Sequence, residues 1–177
     1  MKIAYQGVPG AFSHEACLTF LPDHEPFGKP TFADVIDTVE TEETEFGILP
    51  YENSAVGPVE EVHRLLAGCG LKIVARHVLP IHIHLLGLPG ARLADVTTAV
   101  SHPMALKQCV ETLGQMGLAA RPASNTAAAA QALADETNAV LASEFAARAY
   151  GLTILRHDMQ DHPDNSTTFV VLAKTRE

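Results

Sequence analysis

Hydroxyl, carboxamide and glycine residues recur in this chain where helices are expected to begin. They stand in four turns: GVPGAFS (7–13), ENSAVG (52–57), SHP (101–103) and SNTA (124–127). Ser, Asn and Thr at such places satisfy the orphan N–H groups of a helix N-terminus, and together with those amides they favour a bound anion. In open α/β sheets these turns gather at the carboxyl ends of the strands, where ligands bind. The pattern therefore points to a site for a small, oxygen-rich, anionic molecule. The first turn fits neither G-x-G-x-x-G nor G-x-x-x-x-G-K-[ST], so no nucleotide is expected. His82 and His84 alternate in IHIH and would share a strand face, but spacing places no third ligand beside them, and no metal is expected. His102 follows Ser101 at a helix start and serves either the site or the turn itself. A serine-hydrolase elbow, G-x-S-x-G, is absent from the sequence. Cys109 is expected about two turns into a helix, facing the core.

The elements that must position these turns follow from periodicity. Short apolar runs alternate about five times with stretches of helical spacing, which is the pattern of an α/β fold with parallel strands. KIAYQG reads as a strand, followed by a helix from about Phe12. Thr31 can cap a helix whose Phe32, Val35, Ile36 and Val39 recur at i, i+3, i+4 and i+7. FGILPY (46–51) is the next strand, and Pro58 suits the first turn of the helix after it. LKIVARHVLPIHIHLLGL is too long for one ordinary strand and predicts two, with a bend near Pro80. TTAVSHP, ALKQCVETLGQMG, LAARPASNTAAAAQALADE, NAVLASEFAARAYG and LTILRHD continue the alternation. MQDHPDNS (159–166) reads as a loop and lobe crossing before a last strand, TTFVVLAK.

Composition narrows the function classes. With 47% apolar and 19% charged residues in 177, a packed soluble core is expected. Twelve Lys and Arg against 21 Asp and Glu give a net charge of −9, which disfavours nucleic acid and anionic membranes as partners. No run approaches the ~18 apolar residues of a membrane span, and MKIAYQGVPG lacks a signal-peptide core, so a cytoplasmic protein is expected. Cys17, Cys69 and Cys109 are odd in number and far apart, and buried free thiols are expected.

Taken in order, GVPGAFSHEA, ILPYENSAVGPV, LPIHIHLL, SHPMALKQC, SNTAAAA, LASEFAARAYGL and DNSTTFVVL resemble the catalytic domain of prephenate dehydratases, from Lys2 to Lys174. The resemblance implies a two-lobed α/β fold like a type 2 periplasmic binding protein, with the active site in the interlobe cleft. One lobe would take about residues 1–76 plus 167–177, the other about 77–166. It also implies conversion of prephenate to phenylpyruvate with loss of water and carbon dioxide, without metal or organic cofactor, in a homodimer. No regulatory ACT domain is expected within this chain.

Carried over residue by residue, the E-N-S motif falls on Glu52, Asn53 and Ser54. The S-H-P-Q-x-x-x-Q-C motif falls on Ser101, His102, Pro103, Gln108 and Cys109, with Met104 in place of its first glutamine. The S-T-A turn falls on Asn125, Thr126 and Ala127, and the first turn on Gly7, Pro9 shifted by one, Gly10, Phe12 and Ser13. The family's Thr-Arg-Phe reads Thr167, Thr168, Phe169 here, so the threonine is kept and the arginine is missing. The resemblance makes Thr167 the catalytic donor to the departing hydroxyl, with Asn53, Ser54, Ser101, Gln108, Thr126, Ser13 and Thr168 around the substrate and Phe12 and Phe169 as an apolar wall. With Thr168 offering less than an arginine, substrate binding would be weaker unless Arg76 or Lys107 compensates. The altered segment leaves open decarboxylation of prephenate without aromatisation, and a second alternative is small-carboxylate binding without chemistry.

Overall fold

The computed structural model describes residues 1–174 and divides them into two compact units. The first comprises Met1–Val8, Phe12–Pro80 and the chain from Ser166; the second comprises Pro9–Ala11 and Ile81–Asn165. The chain thus changes unit at Val8/Pro9, Ala11/Phe12, Pro80/Ile81 and Asn165/Ser166, whereas the expected lobes changed only at about 76/77 and 166/167 and kept Pro9–Ala11 in the first. The expected first lobe also included 175–177, which lie outside the described residues.

The first unit is built on strands β1 (Lys2–Gln6), β2 (Glu25–Lys29), β3 (Phe46–Asn53), β5 (Leu71–Pro80) and β11 (Ser166–Lys174), in the order β2-β1-β3-β11-β5, with a two-residue β4 (Gly57–Pro58) turned back onto β3. β1 pairs with β2 and β3 in parallel, as the alternation predicts, whereas β11 runs antiparallel to both β3 and β5. Helices α1 (Phe12–Phe20), α2 (Phe32–Glu40) and α3 (Glu60–Gly68) belong to this unit. α2 begins where the sequence predicts. Thr31 Oγ1 accepts the Asp34 N–H at 3.1 Å and Asp34 Oδ2 accepts the Thr31 N–H at 3.0 Å, a reciprocal capping box. Its Val35, Ile36 and Val39 are buried, each worth about 1.5–3 kcal/mol of apolar burial. Gly47 lies beneath them, and a Cβ there would sit 3.0 Å from both Val35 Cγ1 and Val39 Cγ2. Ala4, Leu49, Val62, Val170 and Leu172 complete the core on this side. Pro58 lies in β4, and α3 starts two residues later, because the turn after Asn53 folds back before the helix can begin.

The second unit has strand order β10-β6-β9-β7-β8, from β6 (His84–Gly87), β7 (Thr98–Ser101), β8 (Ala119–Pro122), β9 (Asn138–Ala142) and β10 (Thr153–Arg156). β7 is parallel to β8 and β9, and β6 is antiparallel to β9 and β10. The bend expected near Pro80 separates β5 from β6. Pro9–Ala11 belong here because α7 (Glu144–Tyr150) grips them. The Tyr150 hydroxyl donates to Pro9 O, Ser143 Oγ lies 3.4 Å from Gly10 O, and a Cβ on Gly10 would meet Tyr150 Cε2 at 3.0 Å. Gly10 also has a φ of +92°, which suits glycine alone.

One predicted helix is two. ALKQCVETLGQMG forms α4 (Pro103–Lys107) and α5 (Val110–Met116), interrupted at Gln108 and Cys109. The Asp161 carboxylate supplies the reason: it accepts the N–H groups of Glu111 (3.0 Å) and Thr112 (2.9 Å), capping a new helix start that Cys109 itself does not cap. Cys109 is fully buried but lies at this junction, not inside a helix. Cys17 is also buried and Cys69 half-buried, all three as free thiols, and burial pushes the Cys17 and Cys109 thiols up to about 12.

Candidate functional site

Each unit carries one cluster of the predicted site residues. In the first unit the antiparallel pairing of β3 with β11 sets Thr167 opposite Asn53. Asn53 is 5% exposed and Thr167 8%, and Asn53 Nδ2 donates to Thr167 Oγ1 at 3.0 Å. The carboxamide cannot turn over, because Asn53 Oδ1 accepts the N–H groups of Ala55 (2.9 Å) and Val56 (3.1 Å) in a tight turn. A hydroxyl has one proton and two lone pairs. With Asn53 filling a lone pair, Thr167 keeps its proton for donation, and no acceptor for it is found among the described residues. Ser54 pins the strand start: its Oγ accepts the Ser166 N–H and its own N–H donates to Ser166 O, both at 2.9 Å.

Thr168 is not brought to this hydroxyl. Neighbouring residues of a strand point to opposite faces, and Thr168 sits across from Glu52 on β3 and Val78 on β5. It shares its face with Val170 and Leu172, which pack in the α2–α3 core. Arg76, on the same face opposite Val170, places its guanidinium 4.6 Å from the centroid of the Tyr51 ring. Phe169 is on the Thr167 side but only 1% exposed, so its ring is core packing. Phe12 is half-buried, and Ser13 is buried in the first turn of α1.

In the second unit the β7–α4 and β8–α6 turns bring Ser101, Gln108 and Thr126 into play, α6 being Thr126–Gln131. Ser101 is fully buried and its hydroxyl donates to Leu141 O at 2.8 Å, with Thr126 Oγ1 3.3 Å away. Its proton is thus spent on tying β7 to β9. Thr126 remains half-buried at the helix start, beside the capping Asn125, whose Oδ1 accepts the Ala128 N–H. His102 caps α4: its Nδ1 accepts the Met104 N–H at 3.1 Å, and burial lowers its pKa below the ordinary histidine value. Gln108 is 8% exposed, its Oε1 accepting from Asn165 Nδ2 at 2.6 Å. Asn165 and Asp161 were not singled out by the sequence; an Asn two residues before Thr167 was the available signal.

His82 and His84 stand with nearly parallel rings 6.5 Å apart, but β6 begins only at His84. His84 is buried and its Nδ1 accepts the Asp158 N–H, whereas exposed His82 lies 3.1 Å from Asp158 Oδ1. Among the described residues no group of three or more His, Cys, Asp or Glu side chains is arranged to hold a metal ion.

Comparison with known proteins bears on this arrangement. Residues 3–177 match the family model for prephenate dehydratase. An arogenate dehydratase/prephenate dehydratase of Arabidopsis thaliana, a chloroplastic protein, is 37% identical over 98% of this chain and 45% of its own length. The chain therefore spans less than half of that relative. The structure of a prephenate dehydratase from Arthrobacter aurescens in complex with L-Phe superposes with a TM-score of 0.92 at 25% identity, over 100% of this chain and 61% of that one. A nutrient binding protein from Burkholderia cenocepacia bound to methionine shares the fold alone, with a TM-score of 0.55 at 9% identity over 96% of this chain and 84% of that one. The two-sheet α/β architecture expected from the resemblance is thus present, and the chain belongs to the prephenate dehydratase family.

Proposed function

We propose that this chain catalyses the decarboxylative dehydration of prephenate to phenylpyruvate. Family membership supports the reaction class, and the observation that carries it is Thr167, whose hydroxyl is left as a donor by an Asn53 carboxamide locked in one orientation. Prephenate has two carboxylates and a ring hydroxyl. The C–O bond to the hydroxyl breaks with its electron pair, the ring carboxylate leaves as carbon dioxide and supplies the electrons of the aromatic ring, and the departing oxygen takes a proton to become water. Much of the driving force is aromatisation, so the protein has to orient the molecule and stabilise charge building on the departing oxygen. Thr167 is the donor at that oxygen. Gln108 and Thr126 are the neutral donors for carboxylate and carbonyl oxygens.

Purified chain incubated with prephenate at neutral pH, beside a no-enzyme control and with products identified by mass, tests the reading. Phenylpyruvate is expected. A non-aromatic dihydro product would favour decarboxylation alone, and no turnover above control would leave a carboxylate-binding protein. Arogenate belongs in the same assay, since the Arabidopsis relative is named for both activities. We also propose a cytoplasmic homodimer. The ten-residue β5 at the edge of its sheet, with Ile73, Val74 and Val78 exposed, supports self-association, and sedimentation velocity tests it. No described helix is long and apolar enough to cross a membrane.

A further inference from the structure

The segment from Met159 to Asn165 is strapped down along its length within the second unit. The Met159 N–H donates to Ile83 O at 2.6 Å, Gln160 Oε1 accepts the Ile83 N–H at 2.8 Å, and the Asp161 N–H donates to Gln108 O at 2.8 Å. The Asp161 carboxylate caps α5 as described. Its desolvation, which would raise its pKa, is outweighed by the hydrogen bonds from Thr112 and Glu111, so it stays below the usual carboxylate value. Asn165 closes the strap: its carbonyl accepts the Ile81 N–H at 2.8 Å, its N–H donates to His162 O at 3.2 Å, and its side chain reaches Gln108.

The Asn165–Gln108 pair can be made in two ways, with either carboxamide donating to the other. They differ in what Gln108 has left over. When Asn165 Nδ2 donates to Gln108 Oε1, as here, Gln108 retains the two N–H donors of Nε2. No acceptor for Nε2 is found among the described residues, yet Nε2 is not sealed in: among the described residues the buried, unpaired side-chain atoms belong to His24 and Thr44. In the reverse arrangement Gln108 would present Oε1, an acceptor, which repels an anion.

We infer that Asn165 is a positioning residue for Gln108, holding its carboxamide so that Nε2 is presented as a donor to a carboxylate oxygen of the bound substrate. The inference rests on the proposed reaction, in which Gln108 binds an anionic substrate. Asn165 does not itself act on the substrate. A 2.6 Å bond between residues 3% and 8% exposed holds the Gln108 carboxamide in place before the substrate arrives, so part of the cost of orienting the donor is met in folding.

Asn165→Asp tests this with almost no change of shape. An ionised carboxylate can only accept, so it would take Gln108 Nε2 and turn Oε1 outward. KM for prephenate is expected to rise about tenfold or more, the range for a lost hydrogen bond to a charged group, with a smaller change in kcat. The rise should shrink as pH is lowered and the introduced carboxyl gains a proton it can donate. In a Gln108→Leu background the Asn165 substitution should add nothing to KM. If Asn165→Asp does not fold, as judged by its melting curve, Asn165→Leu takes its place; it leaves the carboxamide free to turn and should raise KM less, again only when Gln108 is present. An unchanged KM, or an equal rise in the Leu background, overturns the inference while leaving the reaction standing. An inactive wild-type chain removes both.

Discussion

Replacing Thr167 by Val retains the β-branched shape that suits β11 and deletes only the hydroxyl. Two costs follow and can be separated. The first falls on stability: Asn53 Nδ2 loses its acceptor while 5% exposed, worth about 1–3 kcal/mol. Against the roughly 5–15 kcal/mol of a typical domain this leaves the protein folded. The second falls on the barrier. A donor aimed at developing negative charge is worth about 3–4 kcal/mol, so kcat should drop by about 10²- to 10³-fold. Thr167→Ser keeps the donor but loses the methyl group that restricts χ1, and its loss should be about tenfold or less.

Asn53→Asp probes the same bond from its other end. One carboxylate oxygen can still accept the Ala55 and Val56 N–H groups, so the turn survives. The other replaces Nδ2 and accepts the Thr167 proton, turning the donor away from the substrate. The loss in kcat should therefore approach that of Thr167→Val, although every backbone contact of Asn53 is retained. Initial rates of phenylpyruvate formation, read as the enol in alkali and normalised to the folded fraction from a melt, give the comparison. A Thr167→Val enzyme within about threefold of wild-type kcat, or an unimpaired Asn53→Asp enzyme, refutes the reasoning.

Three further outcomes are expected. Thr168→Arg should leave KM for prephenate within about twofold, since position 168 faces Glu52 and Val78 on the side away from Thr167, where a new guanidinium would gain at most about 1 kcal/mol from Glu52; a tenfold fall in KM would return this position to the substrate. Gly47→Ala should cost about 1–3 kcal/mol in urea titration, because its methyl must displace Val35 and Val39, and an undiminished midpoint would mean that α2 shifts freely on β3. Burial lowers the pKa of His84, with His157 and His82 acting in the same direction and Asp158 and Glu144 opposing, and burial alone lowers that of His102. The unfolded chain then gains protons near 6.5 that the folded chain refuses, so stability should fall as pH drops through 6.5 and level off below the folded values. A melting temperature flat from neutral pH to about 5, above the range of the ordinary carboxylates, would contradict this.

Local features were readable from the sequence because their causes are local. Thr31 and Asp34 cap α2 three residues apart, and the apolar spacing from Phe32 to Val39 names its buried face. The bend at Pro80 follows from proline chemistry. In the alternation of TTFVVLAK two consecutive threonines point to opposite faces of the strand, so Thr168 is a poor stand-in for a contact beside Thr167. What stayed hidden has remote causes. The break at Gln108–Cys109 depends on Asp161, far along the chain, and the spent hydroxyl of Ser101 depends on a carbonyl in β9. The antiparallel β11 could not be told from a parallel strand, because a buried strand reads as an apolar run in either direction.

The place of β11 between β3 and β5 has a consequence for how the chain is made. Nearly all of the second unit comes from one continuous stretch, Ile81–Asn165, so its strands can find one another while synthesis proceeds. The first unit must wait. Until Ser166–Lys174 leaves the ribosome, β3 and β5 have no strand between them, and two open edges with apolar faces are exposed to neighbouring chains. Closing that gap joins residues more than a hundred positions apart, with Thr167 meeting Asn53, so its loop-closure entropy is met only once β11 has been made. The Thr167–Asn53 bond therefore forms only as β11 zips into the sheet, and a nascent chain holds no assembled donor before this interior strand has arrived.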